Sequence, residues 1–229
     1  MKENRIQRIN ELLDNRQTDL TVLMDQVHKS HNLAAIVRTG DAIGVGEIHA
    51  VQASGNVRQC GGTAMGSNRW VTTHVHKTLD EGITTVKSQG MQVLAAHFSD
   101  RAKDFRDIDY TKPTCILVGA EKYGVSDEAA DAADHHILIP MVGMVQSLNV
   151  SVAAALVLYE AQRQRKDAGM YGKRTIADDV AERLTFEWLH DDIKEFCLRH
   201  DIRYPRINEA GDIDDEEWQA MRKAISGLK

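Results

Sequence analysis

The chain has 229 residues, 42% of them hydrophobic, with only 3 prolines and 16 glycines, which is enough apolar content to bury a core and excludes a disordered chain. A formal net charge of −6 excludes a uniformly basic nucleic-acid binder, although the distribution of charge matters more than its sum. The longest apolar run, residues 150–158, covers half a bilayer, so no transmembrane segment is expected.

The opening MKENRIQRINELLDNRQ is polar and amphipathic and lacks the apolar region of a signal peptide, so a cytoplasmic protein is expected. Ile6, Ile9, Leu12 and Leu13 recur there at helical spacing. DLTVLMDQV (19–27) reads as a strand. HNLAAIVRTGDAIGV reads as a helix, with Asn32 as its N-cap and Leu33, Ile36 and Val37 as its apolar stripe. EIHAVQA (strand), the glycine-rich loop CGGTAMGSN and WVTTHVHK (strand) follow; TLDEGITTVKSQG is a helix ended by Gly90. MQVLAAHFS, TCILVGA and HHILIP are short apolar strands, the last two flanking a small helix, SDEAADAA.

Alternating strands and helices predict an α/β fold, a mainly parallel sheet covered by helices on both faces. In such sheets ligands sit beyond the C-terminal strand ends. The helix after residue 149 is apolar nearly all round, so it faces the sheet on one side and another layer or subunit on the other. A homodimer is the preferred expectation. Beyond about residue 166 the composition turns polar, then amphipathic. The expected organisation is an N-terminal helical extension (1–19), an α/β core (20–165) and a C-terminal helical extension (166–229).

Three widely spaced cysteines without a C-x-x-C pair predict neither a disulfide framework nor a zinc site. The histidines supply no metal site either: His74 and His76 alternate along a strand, and His135 and His136 point to opposite faces. GAEKYGVS (119–126) lacks the Gly-Lys-Ser/Thr ending of a phosphate-binding loop, GVG (44–46) follows a helix rather than a strand, and no G-x-S-x-G elbow occurs. Acid collects in the tail, while Arg5, Arg8 and Arg16, and Arg163, Arg165, Lys166, Lys173 and Arg174, form two basic groups. Each group is either a local positive patch or a solvated helix face.

Three segments remain: HNLAAIVRTGDAIGV (31–45), ILVGAEKYGVS (116–126) and IPMVGMVQSLNVSVAAA (139–155). In order, content and spacing they resemble the three motifs of the SpoU/TrmH branch of SPOUT methyltransferases, a resemblance that spans the whole chain. The matching residues are Asn32 and Arg38 in the first motif, Gly119, Glu121 and Gly124 in the second, and Pro140, Ser147, Leu148 and Asn149 in the third. Within the branch the chain is most similar to the members that methylate the ribose 2′-hydroxyl of guanosine 18 in the D-loop of tRNA.

The resemblance implies a SPOUT fold with a C-terminal trefoil knot, a homodimer, S-adenosylmethionine as methyl donor, tRNA as substrate, and no metal. It implies catalytic roles for Arg38, Asn32, Glu121, Ser147 and Asn149. It places the cofactor against Ala96, Gly119, Ile139, Met144 and Leu148, although relatives often carry a hydroxyl residue where this chain has Ala96. It implies RNA contacts for Arg8, Arg16, His31, Arg163, Arg165 and Arg174. Arginine is a poor general base, so holding a phosphate beside the reacting ribose is the firmer role for Arg38. The alternatives are 2′-O-methylation of ribosomal RNA, whose enzymes usually carry a larger N-terminal RNA-binding domain, and a catalytically silent RNA-binding protein.

Overall fold

The computed structural model describes residues 2–52, 69–120 and 122–226. The chain divides into two compact units, residues 16–171 and residues 1–15 with 172–229.

Among the described residues of the larger unit, seven strands form one parallel sheet: β1 (Leu20–Asp25), β2 (Glu47–Val51), β3 (Thr72–His76), β4 (Gln92–Ala96), β5 (Lys103–Asp104), β6 (Thr114–Val118) and β7 (His135–Leu138). Their spatial order is β3-β2-β1-β6-β4-β7-β5. The chain runs outward from β1 to β3 and then fills the other half, so the order reverses between β1 and β6. That reversal opens a crevice at the C-terminal strand ends.

Strand alternation sends Leu20, Val22 and Met24 to one face of β1 and Leu23 to the other. The first face is covered by α2 (Ser30–Ala42) and α5 (Val150–Asp167), through Leu33, Ile36 and Val37 and through Ala154, Val157, Leu158 and Ala161. The second is covered by α3 (Leu79–Ser88) and α4 (Asp127–Ala132), through Ile83, Val86, Ala129 and Ala130. Thr78 caps α3 by accepting from the Glu81 N–H, and Gly90 follows it at φ +76, where a side chain would be strained. β5 and the 3-10 turn Phe105–Asp107 were not expected from RAKDFRDIDY. A two-residue polar edge strand carries no periodicity to read.

The smaller unit contains α1 (Lys2–Asp14), α6 (Asp178–Leu189), α7 (Asp191–Arg199) and α8 (Asp215–Ser226). α6 and α7 are separated at His190, whose φ −129 and ψ 61 leave the helical region. Ile9 and Leu13 are buried, Arg5 donates to the Trp188 carbonyl at 2.6 Å, and Arg174 pairs with Asp14 at 2.8 Å. Phe186 stacks on Tyr204, and Trp218 meets Phe196 edge-on. Among the described residues, no helix is long and apolar enough to cross a membrane.

Candidate active site

Two segments remote in sequence meet through two amides. Asn149 is the N-cap of α5: its Oδ1 accepts from the Ser151 N–H at 2.8 Å and from the Ser151 hydroxyl at 2.6 Å. Its Nδ2 then donates to Oδ1 of buried Asn32 at 3.2 Å. The helix expected to start at Asn32 starts at Ser30, with Lys29 in the cap position and no side-chain cap bond. Asn32 is therefore not a cap. It lies in the first helical turn, with its amide turned inward toward Asn149.

The loop after β6 is fixed by glycine. A Cβ on Gly119 would overlap the Gly124 carbonyl oxygen, so only glycine permits this closure. The Gly124 N–H donates to the Ala120 carbonyl at 2.8 Å, and Gly124 takes φ +71. Ser126 accepts from the Ala129 N–H as the α4 cap and donates to Asp25 Oδ2 at 3.0 Å, tying this loop to the end of β1. The other carboxylate oxygen of buried Asp25, Oδ1, has no hydrogen-bond partner among the described residues.

Ala96, Gly119 and Ile139 stand at or just past the ends of β4, β6 and β7, which are contiguous in the sheet. Ala96 and Ile139 are half-buried against the core and Leu148 is half-buried. Ser147 and Gln146 are exposed, and Met144 is fully so. Glu121 lies outside the described residues. The three loops therefore leave the sheet side by side at its C-terminal edge, a cradle in which backbone groups can hold an adenosine moiety.

Arg38 is not joined to the Asn32–Asn149 pair. Six residues along α2 correspond to a rise of about 9 Å and a turn of about 120°. Arg38 is exposed and makes no ion pair among the described residues, and it shares its solvent face with His31, seven residues earlier.

Two of the basic residues expected at RNA require correction. Arg165 is 0% exposed. It donates from Nε to the Tyr110 carbonyl at 2.8 Å, from Nη1 to the Gln17 side chain at 3.2 Å and to the Asp19 carboxylate, and from Nη2 to the Lys112 carbonyl at 3.0 Å. Arg16 is also buried, donating to the Val45 and Trp70 carbonyls and pairing with Asp41 at 3.6 Å. Burial pushes the Arg16 guanidinium below its ordinary range, against the opposing pull of Asp41. Both arginines hold backbone carbonyls in place and are closed to a phosphate. Sequence alone does not separate such an arginine from a surface one, because the carbonyls it satisfies come from distant loops. Arg8 and Arg163 are exposed and paired on their own helices with Glu11 and with Glu160 and Asp167; Arg174 is partly exposed and paired with Asp14.

Sequence reasoning missed the crevice beside β1. A cavity of about 650 Å³ is lined there by Gln26, His28, Lys29, Ala120, Lys122 and Tyr123. The available signal was an aromatic residue inside the glycine-bounded loop 119–124, where no core position exists for it.

Residues 19–159 match the SpoU rRNA Methylase family, and residues 163–216 match the C-terminal SpoU rRNA methylase family. The chain is 50% identical to the tRNA (guanosine(18)-2′-O)-methyltransferase of Escherichia coli K12, over 98% of this chain and 99% of that one. It is 52% identical to an enzyme of the same name from Thermus thermophilus, over 82% and 96%. The crystal structure of the TrmH/SpoU tRNA modifying enzyme of Aquifex aeolicus superposes with a TM-score of 0.75 at 40% identity, covering 84% of this chain and 98% of that one. The SpoU methyltransferase AviRb of Streptomyces viridochromogenes, solved with its cofactor AdoMet, superposes with a TM-score of 0.60 at 27% identity, over 66% and 62%.

Proposed function

Since the chain belongs to the SpoU methylase family, we propose that it transfers a methyl group from S-adenosylmethionine to the ribose 2′-hydroxyl of guanosine 18 in tRNA. The observation that carries this reading is the Asn149–Asn32 hydrogen bond, which joins the first and third motifs, while Lys29 just before the same helix lines a cavity with Ala120 of the second. The cofactor supplies an electrophilic methyl on a sulfonium. The chain's own contribution is alignment, because in-line transfer to a hydroxyl depends on holding the reacting atoms in register. Backbone groups at the ends of β4, β6 and β7 hold the adenosine, and Asn32 and Asn149 orient groups at the start of α5. Arg38, with His31 on the same exposed face of α2, holds the phosphate next to the reacting ribose.

A second copy of the chain completes the enzyme. Val152, Leu156 and Tyr159 recur at helical spacing on the outer face of α5, each exposed despite being apolar, and Met141, Val142, Met144 and Val145 in the preceding loop are exposed with them. An apolar surface of this kind marks an interface, and a homodimer covers it. The exposed Arg8 and Arg163, with partly exposed Arg174, add salt-sensitive attraction to RNA. The reading places the protein in the cytoplasm with its tRNA substrate.

The test is methyl transfer from labelled S-adenosylmethionine to unmodified tRNA and, in parallel, to ribosomal RNA, with the modified nucleotide mapped. Label at ribose 18 of tRNA is expected. Label confined to ribosomal RNA, or none from folded protein that binds the cofactor, overturns the proposal.

A further inference from the structure

The crevice between the ends of β1 and β6 carries chemistry that the methyl-donor site does not use. Tyr123 is 79% exposed, an unusual setting for a large ring, and Lys122 holds its ammonium 5.0 Å from the ring centroid. Gln26 faces the same cavity with φ +53, a left-handed conformation rare for a residue other than glycine. Such outliers concentrate at ligand-holding positions. Lys29 and His28 complete the wall.

One flat π face, an amide that both donates and accepts, and cations at the rim together match an unstacked nucleotide. The base stacks on the ring, the amide meets its edge and the lysines meet its phosphates. The location is consistent with this. The Lys29 carbonyl accepts from the Asn32 N–H at 2.9 Å, so the cavity lies one helical turn from the Asn32–Asn149 pair. It opens on the β1 side of β6, whereas β4 and β7, which carry the other cofactor loops, lie on the opposite side.

Resting on the proposed function above, we propose that Tyr123 is the stacking platform for the base of the guanosine being methylated, drawn out of the folded RNA, with Gln26 at its hydrogen-bonding edge. A base must leave its stack for its ribose to be approached from all sides, and an exposed ring replaces part of the stacking lost.

The test uses the full-length protein. Tyr123→Phe and Tyr123→Trp should keep kcat/KM for tRNA within about threefold, whereas Tyr123→Leu and Tyr123→Ala should lower it by about 5- to 150-fold, the range for one lost base–aromatic stack. Affinity for S-adenosylmethionine and the melting temperature should not move, because the ring packs against little of the protein. Full activity of the Leu variant, or a matching loss of cofactor affinity, overturns the assignment. A second measurement does not depend on methyl transfer: tRNA with 6-thioguanosine at the target position, irradiated in complex, should crosslink to the peptide containing Tyr123. Crosslinking elsewhere also overturns it. Failure of the wild-type protein to methylate tRNA, with the crosslink intact, would instead count against the reaction.

Discussion

Asn149 and Asn32 lie 117 residues apart in sequence and 3.2 Å apart in space. Asn149 divides its amide between two tasks. Its oxygen caps α5 through Ser151, and its nitrogen reaches Asn32. The polarity at the start of an otherwise apolar helix therefore serves both the cap and a contact with α2.

The two tasks can be separated by substitution. Asn149→Ala should lose about 1 kcal/mol of stability with the cap, together with methyl transfer. Asn149→Ser should recover that stability, since serine caps as well as asparagine, but it is too short to reach Asn32, so transfer should stay about 2- to 10-fold down, the scale of one lost hydrogen bond. Chemical denaturation and transfer rates on the same preparations decide it. Recovery of activity in the serine variant would leave Asn149 with capping alone.

Gly119 is fixed by contact rather than by backbone angle. The Cβ of Gly119→Ala would collide with the carbonyl and carbon of Gly124 and with the Val125 nitrogen, all backbone atoms that cannot rotate away. The loop must open, at a cost of about 1–3 kcal/mol or more. Calorimetry should show weakened S-adenosylmethionine binding, and thermal melts should show lowered stability. An alanine variant with unchanged cofactor affinity would remove Gly119 from the cradle.

Arg165 and Arg163 lie two residues apart on α5 and should behave oppositely. Removing Arg165 leaves the Asp19 carboxylate and several carbonyls without their buried donor, so Arg165→Ala should destabilise by about 3–5 kcal/mol. Arg163→Ala should leave the melting temperature nearly unchanged and lower the salt dependence of tRNA binding by about one counterion. Equal stability of the two variants would show that Arg165 is not the support that its contacts describe.

The sheet, the two helical layers and the three motif segments were legible because strand alternation, helical periodicity and punctuating glycines are local signals. The meeting of Asn32 with Asn149 was legible only through family resemblance, since neither residue carries a mark of the other. The helix start was misread at Asn32 because asparagine is a strong capping residue and the chain uses it as a buried partner instead. Arg16 and Arg165 were misread for a related reason. Charge is visible in sequence, but the carbonyls that surround it come from loops assembled only by the fold. The crevice at Tyr123 was missed because it belongs to the reversal of strand order between β1 and β6, a property of topology rather than of any one segment.

Three histidines on the same face of β2 and β3 give the core a defined response to acid. His49 is buried, and its Nδ1 shares a hydrogen bond with His76 Nε2 at 2.9 Å. Burial first, and then neighbouring His74 and His76, push His49 down to about 4. His76 is lowered as well, chiefly by burial, whereas the hydrogen bond to Glu47 raises His74. Above about pH 6.5 His49 is neutral in both folded and unfolded chains and contributes nothing. Below that value the unfolded chain takes up a proton that the folded one refuses until about pH 4, so stability falls through this window by about 1.4 kcal/mol per pH unit for each such proton. His74 acts in the opposite sense: its stabilisation is present in acid and is lost as pH rises through its folded value. His49 carries the large shift of the three, so its refused proton sets the expected sign, a loss of stability on acidification. Urea unfolding between pH 8 and pH 4 should show this decline, and His49→Gln, which removes the refused proton, should flatten it. An equal slope in wild type and variant would place the acid sensitivity elsewhere in the chain.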